Sequence, residues 1–223
     1  MYSKEKILAI IQPSFFPYQG YFDIIKKSDA FIFYDHVQYD KNGWRNRNRI
    51  LINGKTKWMT IPVKLDESKI IKNVQIFNPD YNLNKIYKKI KESYKKAKNY
   101  KIITSLIEEI FFLKKWIYIS EFNIYSTQRI CEFLNIKSAF YKSSDFKNIN
   151  DKNQNIINHC INMQCNTYLS GLLAKDYIDE KLFALNKINI IWHDYKIKIY
   201  SQLNSKDFIS RLSIIDYLYN KEI

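Results

Sequence analysis

Ile7-Leu8-Ala9-Ile10-Ile11-Gln12-Pro13-Ser14-Phe15-Phe16-Pro17-Tyr18-Gln19-Gly20-Tyr21-Phe22-Asp23-Ile24-Ile25-Lys26-Lys27-Ser28-Asp29-Ala30-Phe31-Ile32-Phe33-Tyr34-Asp35-His36 is the stretch that decides the fold. Ile7 to Ile11 is an unbroken apolar run, the pattern of a strand buried on both faces of a parallel sheet. Pro13 and Pro17 break any regular structure between Gln12 and Gln19. Gly20 to Lys27 then offers Phe22, Ile24 and Ile25 to a core as a short helix, and Ala30 to Tyr34 is a second apolar strand. A strand, a crossover helix and a strand make a right-handed parallel pair.

The same alternation returns in the last third. Ala139 to Tyr141 reads as a strand, Ile156 to Met163 as a helix and Thr167 to Leu169 as a strand ending at Ser170-Gly171. A short helix near Asp176 to Leu185 and a strand Ile188 to Trp192 follow, and Phe208 to Tyr219 closes the chain as a helix. Between the two regions, Ile50 to Ile52 and Lys57 to Val63 flank Asn53-Gly54, a strong hairpin signal. Leu83 to Ala97, Ile102 to Phe112 and Ser120 to Leu134 have helical spacing, with Ser120 as the N-cap of the third. The expected fold is α/β: a mostly parallel, Rossmann-like sheet with helices on both faces and a helical insertion at about 80–136, all within a single domain, 1–223.

The 223 residues are 46% hydrophobic and 26% charged, values of a globular chain. No run approaches the ~18 apolar residues of a membrane helix, and no cleavable leader is recognised, so a cytoplasmic location is expected. Cys131, Cys160 and Cys165 are odd in number and form no C-x-x-C pair, which argues for buried thiols rather than disulfides. His159-Cys160 with Cys165 has no zinc-ligand spacing, and no metal is expected. The net charge of +14 allows two readings. One is an anionic partner; the other is codon bias, since Lys, Ile, Asn and Tyr share AT-rich codons.

Four segments could carry chemistry. The loop from Gln12 through Pro13 to Gly20-Tyr21 lies at the carboxyl end of the first strand and enters a helix, where open α/β sheets bind ligands. Asp35-His36-Val37-Gln38 ends the second strand, and Asp35 or His36 could act as general base. Trp44-Arg45-Asn46-Arg47-Asn48-Arg49 holds three of the five arginines of the chain. Alternation sets Arg45, Arg47 and Arg49 on one side and Asn46 and Asn48 on the other. Guanidinium groups grip phosphate in pairs, and Trp44 could stack on a base or sugar. The fourth segment, Ser170-Gly171, could bind an anion through backbone N–H groups.

Together these segments resemble the WbqC-like family. The resemblance rests on Ile11-Gln12-Pro13, Phe16-Pro17, Gly20-Tyr21-Phe22, Asp29, Asp35, Gln38, Gly43-Trp44, Asn46-Arg47-Asn48, Tyr168 to Gly171 and Leu212 to Asp216, from about residue 7 to residue 220. It implies a role in bacterial O-antigen or related surface-polysaccharide synthesis, with transfer of a glycyl or other aminoacyl group suggested by association. A weaker similarity is to cytidylyltransferase-like α/β folds, which carry two histidines around the loop glycine. Here Tyr21 follows Gly20, and no loop position is histidine.

The expectation drawn from both readings is an N-acyl or aminoacyl transferase acting on a nucleotide-linked amino sugar. Arg47, with Arg45 or Arg49, would hold the diphosphate, Asp35 or His36 would take the amine proton, and Gln12 and Asn46 would face the oxyanion. An activated donor is required: a coenzyme A thioester, an adenylate or a charged tRNA. The alternatives are ATP-dependent adenylyl or nucleotidyl transfer and non-catalytic nucleic-acid binding.

Overall fold

The computed structural model describes residues 5–203 and 205–222. In chain order the elements are β1 (Ile7–Ile11), α1 (Gln19–Lys26), β2 (Ala30–Phe33), β3 (Arg47–Ile52), β4 (Lys55–Thr60), β5 (Val63–Lys64) and β6 (Gln75–Ile76). Then come α2 (Pro79–Ser93), α3 (Tyr100–Phe112), α4 (Ile119–Phe133), β7 (Ala139–Lys142), α5 (Lys152–Asn162), β8 (Thr167–Gly171), α6 (Glu180–Leu185), β9 (Asn189–His193) and α7 (Ile214–Asn220). The chain divides into two compact units, residues 5–12, 20–36 and 131–196 in the first, and 13–19, 37–130 and 197–222 in the second.

The first unit is built on a five-stranded sheet in the order β7-β2-β1-β8-β9, every neighbouring pair parallel. This is the expected Rossmann-like α/β architecture. The chain runs outward from β1 to β2 and β7, then returns to the other side of β1 as β8 and β9. The order of strands therefore reverses between β1 and β8. Strand alternation divides the core. Ala30 and Ile32 join Leu8, Tyr168, Ile157 of α5 and Phe183 of α6 on one side. Phe31 and Phe33, one residue out of phase, meet Tyr21 of α1 and Phe140 of β7, with ring centroids 5.5 Å apart for Phe31–Tyr21 and 5.7 Å for Phe33–Phe140. Helices thus cover both faces, which is why the strands are apolar throughout.

The second unit contains the β3–β4 hairpin, paired from Arg47↔Thr60 to Ile52↔Lys55. Its turn is Asn53-Gly54, with φ of 49° and 71°, the left-handed pair of a type I′ turn. Helices α2 and α3 and the first turns of α4 supply the helical segment expected at about 80–136. Phe16, Phe111 and Phe122 form an aromatic cluster, with centroids 5.8 Å apart for Phe16–Phe111 and 5.1 Å for Phe111–Phe122.

Helix boundaries shift from expectation: α2 runs Pro79–Ser93 rather than Leu83–Ala97, α5 begins at Lys152 rather than Ile156 and α6 at Glu180 rather than near Asp176, and two further shifts have a visible cause. Helix α4 begins at Ile119, so Ser120 lies inside its first turn and donates its hydroxyl to the Lys72 carbonyl (3.4 Å) instead of capping. The last helix starts at Ile214 rather than Phe208. Gln202 holds both backbone groups of Ile209 (2.7 and 2.9 Å), and Arg211 has a φ of 55°, so residues 208–213 are kept out of a helix. Ser213 is the true cap, accepting from the Ile215 N–H. All three cysteines are buried, and burial pushes the Cys131 and Cys160 thiols up to about 12. Among the described residues, no helix is long and apolar enough to cross a membrane.

Candidate active site

The carboxyl edge of the parallel sheet gathers the polar residues of the first unit. Gln12 follows β1, Asp35 and His36 follow β2, Ser143 and Ser144 follow β7, Ser170 and Gly171 end β8, and His193 ends β9. In sheets of this order ligands bind at the reversal point, here between the ends of β1 and β8.

Asp35 is 2% exposed and is closed in by hydrogen bonds. One oxygen accepts from the Ser143 hydroxyl (2.9 Å) and the Ser144 N–H (2.9 Å), and the other from the Ser144 hydroxyl (2.8 Å). A carboxylate so occupied and so buried is an anchor; it does not offer itself as a proton acceptor to a ligand. The Ser143 oxygen also lies 2.9 Å from the Asp35 N–H and 2.7 Å from Nδ1 of His36.

These contacts decide the histidine tautomer. The Ser143 hydroxyl donates to the Asp35 carboxyl group and so has no second proton to give to His36. Ser143 must then accept from His36, which places the imidazole proton on Nδ1 and the basic lone pair on Nε2. The arrangement is not that of a serine nucleophile: Ser143 is fully buried and stands between the acid and the base, not beyond the base.

A second network holds this turn. Asn148 donates to the carbonyls of Ser143 (2.7 Å) and Phe146 (2.9 Å), while its own oxygen receives Nε2 of His159 (3.2 Å) and Nδ2 of Asn155 (3.2 Å). Burial, with the nearby His36 adding to it, pushes the His159 pKa down to about 4. Its Nδ1 is buried without a partner, so protonation there would bury an uncompensated charge.

At the reversal point, the Tyr21 hydroxyl donates to the Gln12 carbonyl (3.1 Å), tying α1 back to the end of β1. Gly20 is buried at the start of that helix. Ser170 is nearly buried and donates to the Tyr168 hydroxyl (3.4 Å), so it is not presented as a nucleophile. Gly171 faces open space: a Cβ built there meets nothing within 4 Å. On β9, Nε2 of His193 lies 2.7 Å from Asp23, which Lys27 also contacts at 2.7 Å. Burial alone would raise the Asp23 pKa, but the bonds to Lys27 and His193 hold it below the usual range.

The arginine-rich segment lies in the second unit. Arg47 and Arg49 point outward from β3 and Asn48 points inward, as alternation predicts. Arg45 precedes the strand and is buried beside Asp40 (3.9 Å), so it does not share the outward face. Trp44 and Trp58 sit with ring centroids 5.6 Å apart. Arg47 lies over Trp58 at 4.7 Å and Arg49 lies 5.8 Å from each ring. Gly43 lies against Asp40: a Cβ there would fall 1.5 Å from a carboxylate oxygen, so a larger residue would require the Asp40 side chain to move. Gln38 is exposed and forms an isolated antiparallel bridge with Ile70.

Asn46 and Asn48 are tied into the protein to different degrees. Asn46 is buried and exchanges two bonds with Ile61, its side-chain Nδ2 donating to the Ile61 carbonyl and its backbone carbonyl accepting the Ile61 N–H, each at 2.8 Å, while its side-chain Oδ1 is buried with no partner among the described residues. Asn48 is 2% exposed. Its nitrogen donates to the carbonyls of Phe15 (3.2 Å) and Phe16 (2.7 Å) and its oxygen accepts the Arg49 N–H (2.8 Å), which occupies the whole amide.

The WbqC-like protein family matches residues 12–223. The chain belongs to the WbqC-like family. A similar curated protein is the uncharacterized protein Rv1507c of Mycobacterium tuberculosis strain H37Rv, 31% identical over 218 residues, covering 96% of this chain and 94% of that one. No solved structure matches the chain.

In this WbqC-like chain the segments on which the resemblance rests have a structural purpose in the second unit. Phe16 is a non-glycine residue at φ 42°, a strained conformation costing about 1–3 kcal/mol. Its carbonyl is clamped by Asn48 (2.7 Å) and the Ser213 hydroxyl (2.9 Å), and the next carbonyl, of Pro17, accepts the Ile214 N–H (2.9 Å). Phe15 N–H reaches the Trp44 carbonyl (2.9 Å). The Asn-Arg-Asn segment and the Leu212 to Asp216 segment are thus the clamps of the proline loop. Ser143, Ser144, Asn148, Asp23 and His193 went unrecognised in the sequence. The one available signal was for His193, the residue just beyond the expected end of a strand. Among the described residues no group of three or more His, Cys, Asp or Glu side chains could hold a metal ion.

Proposed function

We infer that this WbqC-like protein transfers an acyl or aminoacyl group, glycyl among them, from an activated donor to the amine of a nucleotide-linked amino sugar of bacterial O-antigen or related surface-glycan synthesis. The observation that carries this reading is the Asp35–Ser143–His36 chain at the carboxyl edge of an all-parallel sheet, and the reading takes Nε2 of His36 as the base. Amide formation needs a base that takes a proton from nitrogen and returns it to the leaving group.

In this scheme the amine attacks the acyl carbonyl carbon and the C–N bond forms. His36 Nε2 accepts the ammonium proton. The tetrahedral intermediate collapses, the bond to the donor breaks, and the proton passes to the leaving group where that group requires it. A coenzyme A thioester, an adenylate and a charged tRNA all satisfy this balance. Asp35 acts as a positioning residue through Ser143, and Gln12 is the candidate for the developing oxyanion. The diphosphate is assigned to the edge near Gly20, Ser170 and Gly171. That edge has open backbone space at Gly171.

The test is incubation with UDP- and dTDP-linked amino sugars and each donor class, read by mass spectrometry for an acylated sugar nucleotide. Product from the wild type and its loss in His36→Gln, with thermal stabilisation by the sugar nucleotide retained, is the expected result. Full turnover by His36→Gln, or no stabilisation by any sugar nucleotide, would overturn the reading.

A further inference from the structure

The charge of the chain is not spread evenly. Within the described residues the second unit holds 24 basic and 11 acidic residues, a net +13, and the first unit holds 11 of each, a net of zero. Lysine is frequent in both, 19 and 11, as codon bias would give. The asymmetry comes from elsewhere. All five arginines lie in the second unit, and that unit, though longer, carries no more acids than the first. Codon bias explains abundant lysine; it does not explain this.

The arginines are also not alike. Arg45 is paired with Asp40 and Arg129 with Glu109. Arg47 and Arg49 have no carboxylate partner among the described residues; their Nη2 groups reach only backbone carbonyls, of Asn42 and Arg211. The Nε atom of each is buried with no acceptor among the described residues. Both guanidiniums lie over the Trp44–Trp58 pair, two residues that stay 43% and 45% exposed. Two large aromatic rings half in water beside two guanidiniums without a carboxylate partner form a surface that offers a planar face and positive charge together.

The basic surface continues past Trp58. Lys89 of α2 donates to the Trp58 carbonyl (2.7 Å), and its pKa is lowered by burial and by the positive charges of Lys57 and Lys85. Beyond Lys89 lies a cleft of about 560 Å³ between the hairpin turn, at Ile52 and Asn53, and the end of α2, where Lys95 and Lys96 line it and Glu92 pairs with Lys95.

We propose that the outer face of the β3–β4 hairpin is a binding site for single-stranded nucleic acid. Bases stack on Trp44 and Trp58, Arg47 and Arg49 take the adjoining phosphates, and the backbone continues over Lys89 toward Lys95 and Lys96. Stacking requires unpaired bases, which excludes the flat side of a duplex. A run of cations extending from the rings calls for a polyanion rather than one nucleotide. An anionic lipid surface supplies the charge but no planar face for the rings. This inference is independent of the transferase reading and places no ligand at His36.

The test uses the full chain and tryptophan fluorescence, titrated with a 12-nucleotide oligo(U) RNA, the DNA of equal sequence, the corresponding duplex, UMP and inorganic polyphosphate. The expected result is quenching by the single strands, weakening at least about tenfold between roughly 50 and 200 mM salt. Trp58→Ala and Trp44→Ala each lose roughly 5- to 100-fold in affinity, while Trp58→Phe retains most of it. Arg47→Gln/Arg49→Gln binds more weakly and has a shallower salt dependence, with an unchanged melting temperature. The ratio of RNA to DNA affinity reports which strand the site prefers. Equal affinity for polyphosphate with no effect of the tryptophan changes would overturn the proposal, as would saturation by UMP at the same concentration or the absence of quenching by any strand.

Discussion

The carboxyl edge of the parallel sheet and the outer face of the β3–β4 hairpin are both polar, and they treat charge in opposite ways. At the sheet edge Asp35 is enclosed by three donors, and Asp23 is held by His193 and Lys27. On the hairpin, Arg47 and Arg49 have tryptophan rings for neighbours and no acid among the described residues. A closed network orients one reactive group with little reorganisation, the condition for proton transfer. An open, unneutralised surface keeps its electrostatic energy for a partner. Under the transferase and nucleic-acid proposals, the contrast separates a site of chemistry from a site of adhesion within one chain.

The contrast breaks most visibly at His36. His36→Gln is expected to lower kcat by roughly 10²–10⁴-fold, the usual contribution of a positioned base, with an unchanged melting temperature. Ser143→Ala removes the partner that fixes the tautomer and also strips a buried bond from Asp35. It should lose activity and about 1–3 kcal/mol of stability together. Denaturant titration beside turnover distinguishes the two: a stability loss in His36→Gln as large as that in Ser143→Ala would make His36 structural.

Asn48→Ala comes next. It frees the carbonyls of Phe15 and Phe16 and the Arg49 N–H in a buried place, and it loosens the clamp on the strained Phe16. A loss of about 2–4 kcal/mol is expected by urea unfolding. A cost below about 0.5 kcal/mol would return Asn48 to the pool of ligand-facing residues.

His159 sharpens the comparison through pH. Its folded-state pKa, about 4, lies below the ordinary 6.5. As pH falls below about 6.5 the unfolded chain takes up the proton first, so stability declines until the folded pKa is reached. The contribution is at most about 3 kcal/mol. In His159→Gln the difference in stability between pH 7 and pH 4.5 should shrink; identical acid profiles would mean the imidazole is solvated in the folded state.

The chain's own letters disclosed the scaffold well and the site less well. Ile7 to Ile11, Ala30 to Phe33 and Thr167 to Gly171 are local signals, apolar runs beside turn residues, and each became a strand of the sheet. Asn53-Gly54 made the hairpin turn for the same local reason. Ser143 and Ser144 were invisible because they meet Asp35 across more than a hundred residues, only once β7 pairs with β2. Asn48 misled in the other direction. Alternation told which side of the strand it occupies, but not that the proline loop covers that side.

The smallest effect is the sharpest test of the contrast, because it sets one arginine against another. Arg129 grips Glu109 with two bonds, of 2.7 and 3.0 Å, and this pairing holds the Glu109 pKa below the ordinary range. Both side chains are about one-third exposed, at 29% and 38%, so solvent screening limits the pair to about 1 kcal/mol. Arg47 has only a carbonyl contact and the face of Trp58, and the ring returns part of what a guanidinium loses when water is displaced. Arg47→Gln should therefore change stability by less than about 0.5 kcal/mol, and Arg129→Gln should cost more. The order decides the matter, not the size. If Arg47→Gln were the more damaging of the two in chemical unfolding, its guanidinium would be a structural brace for the hairpin, and the exposed tryptophans would lose the unneutralised charge that makes their face a surface for a polyanion.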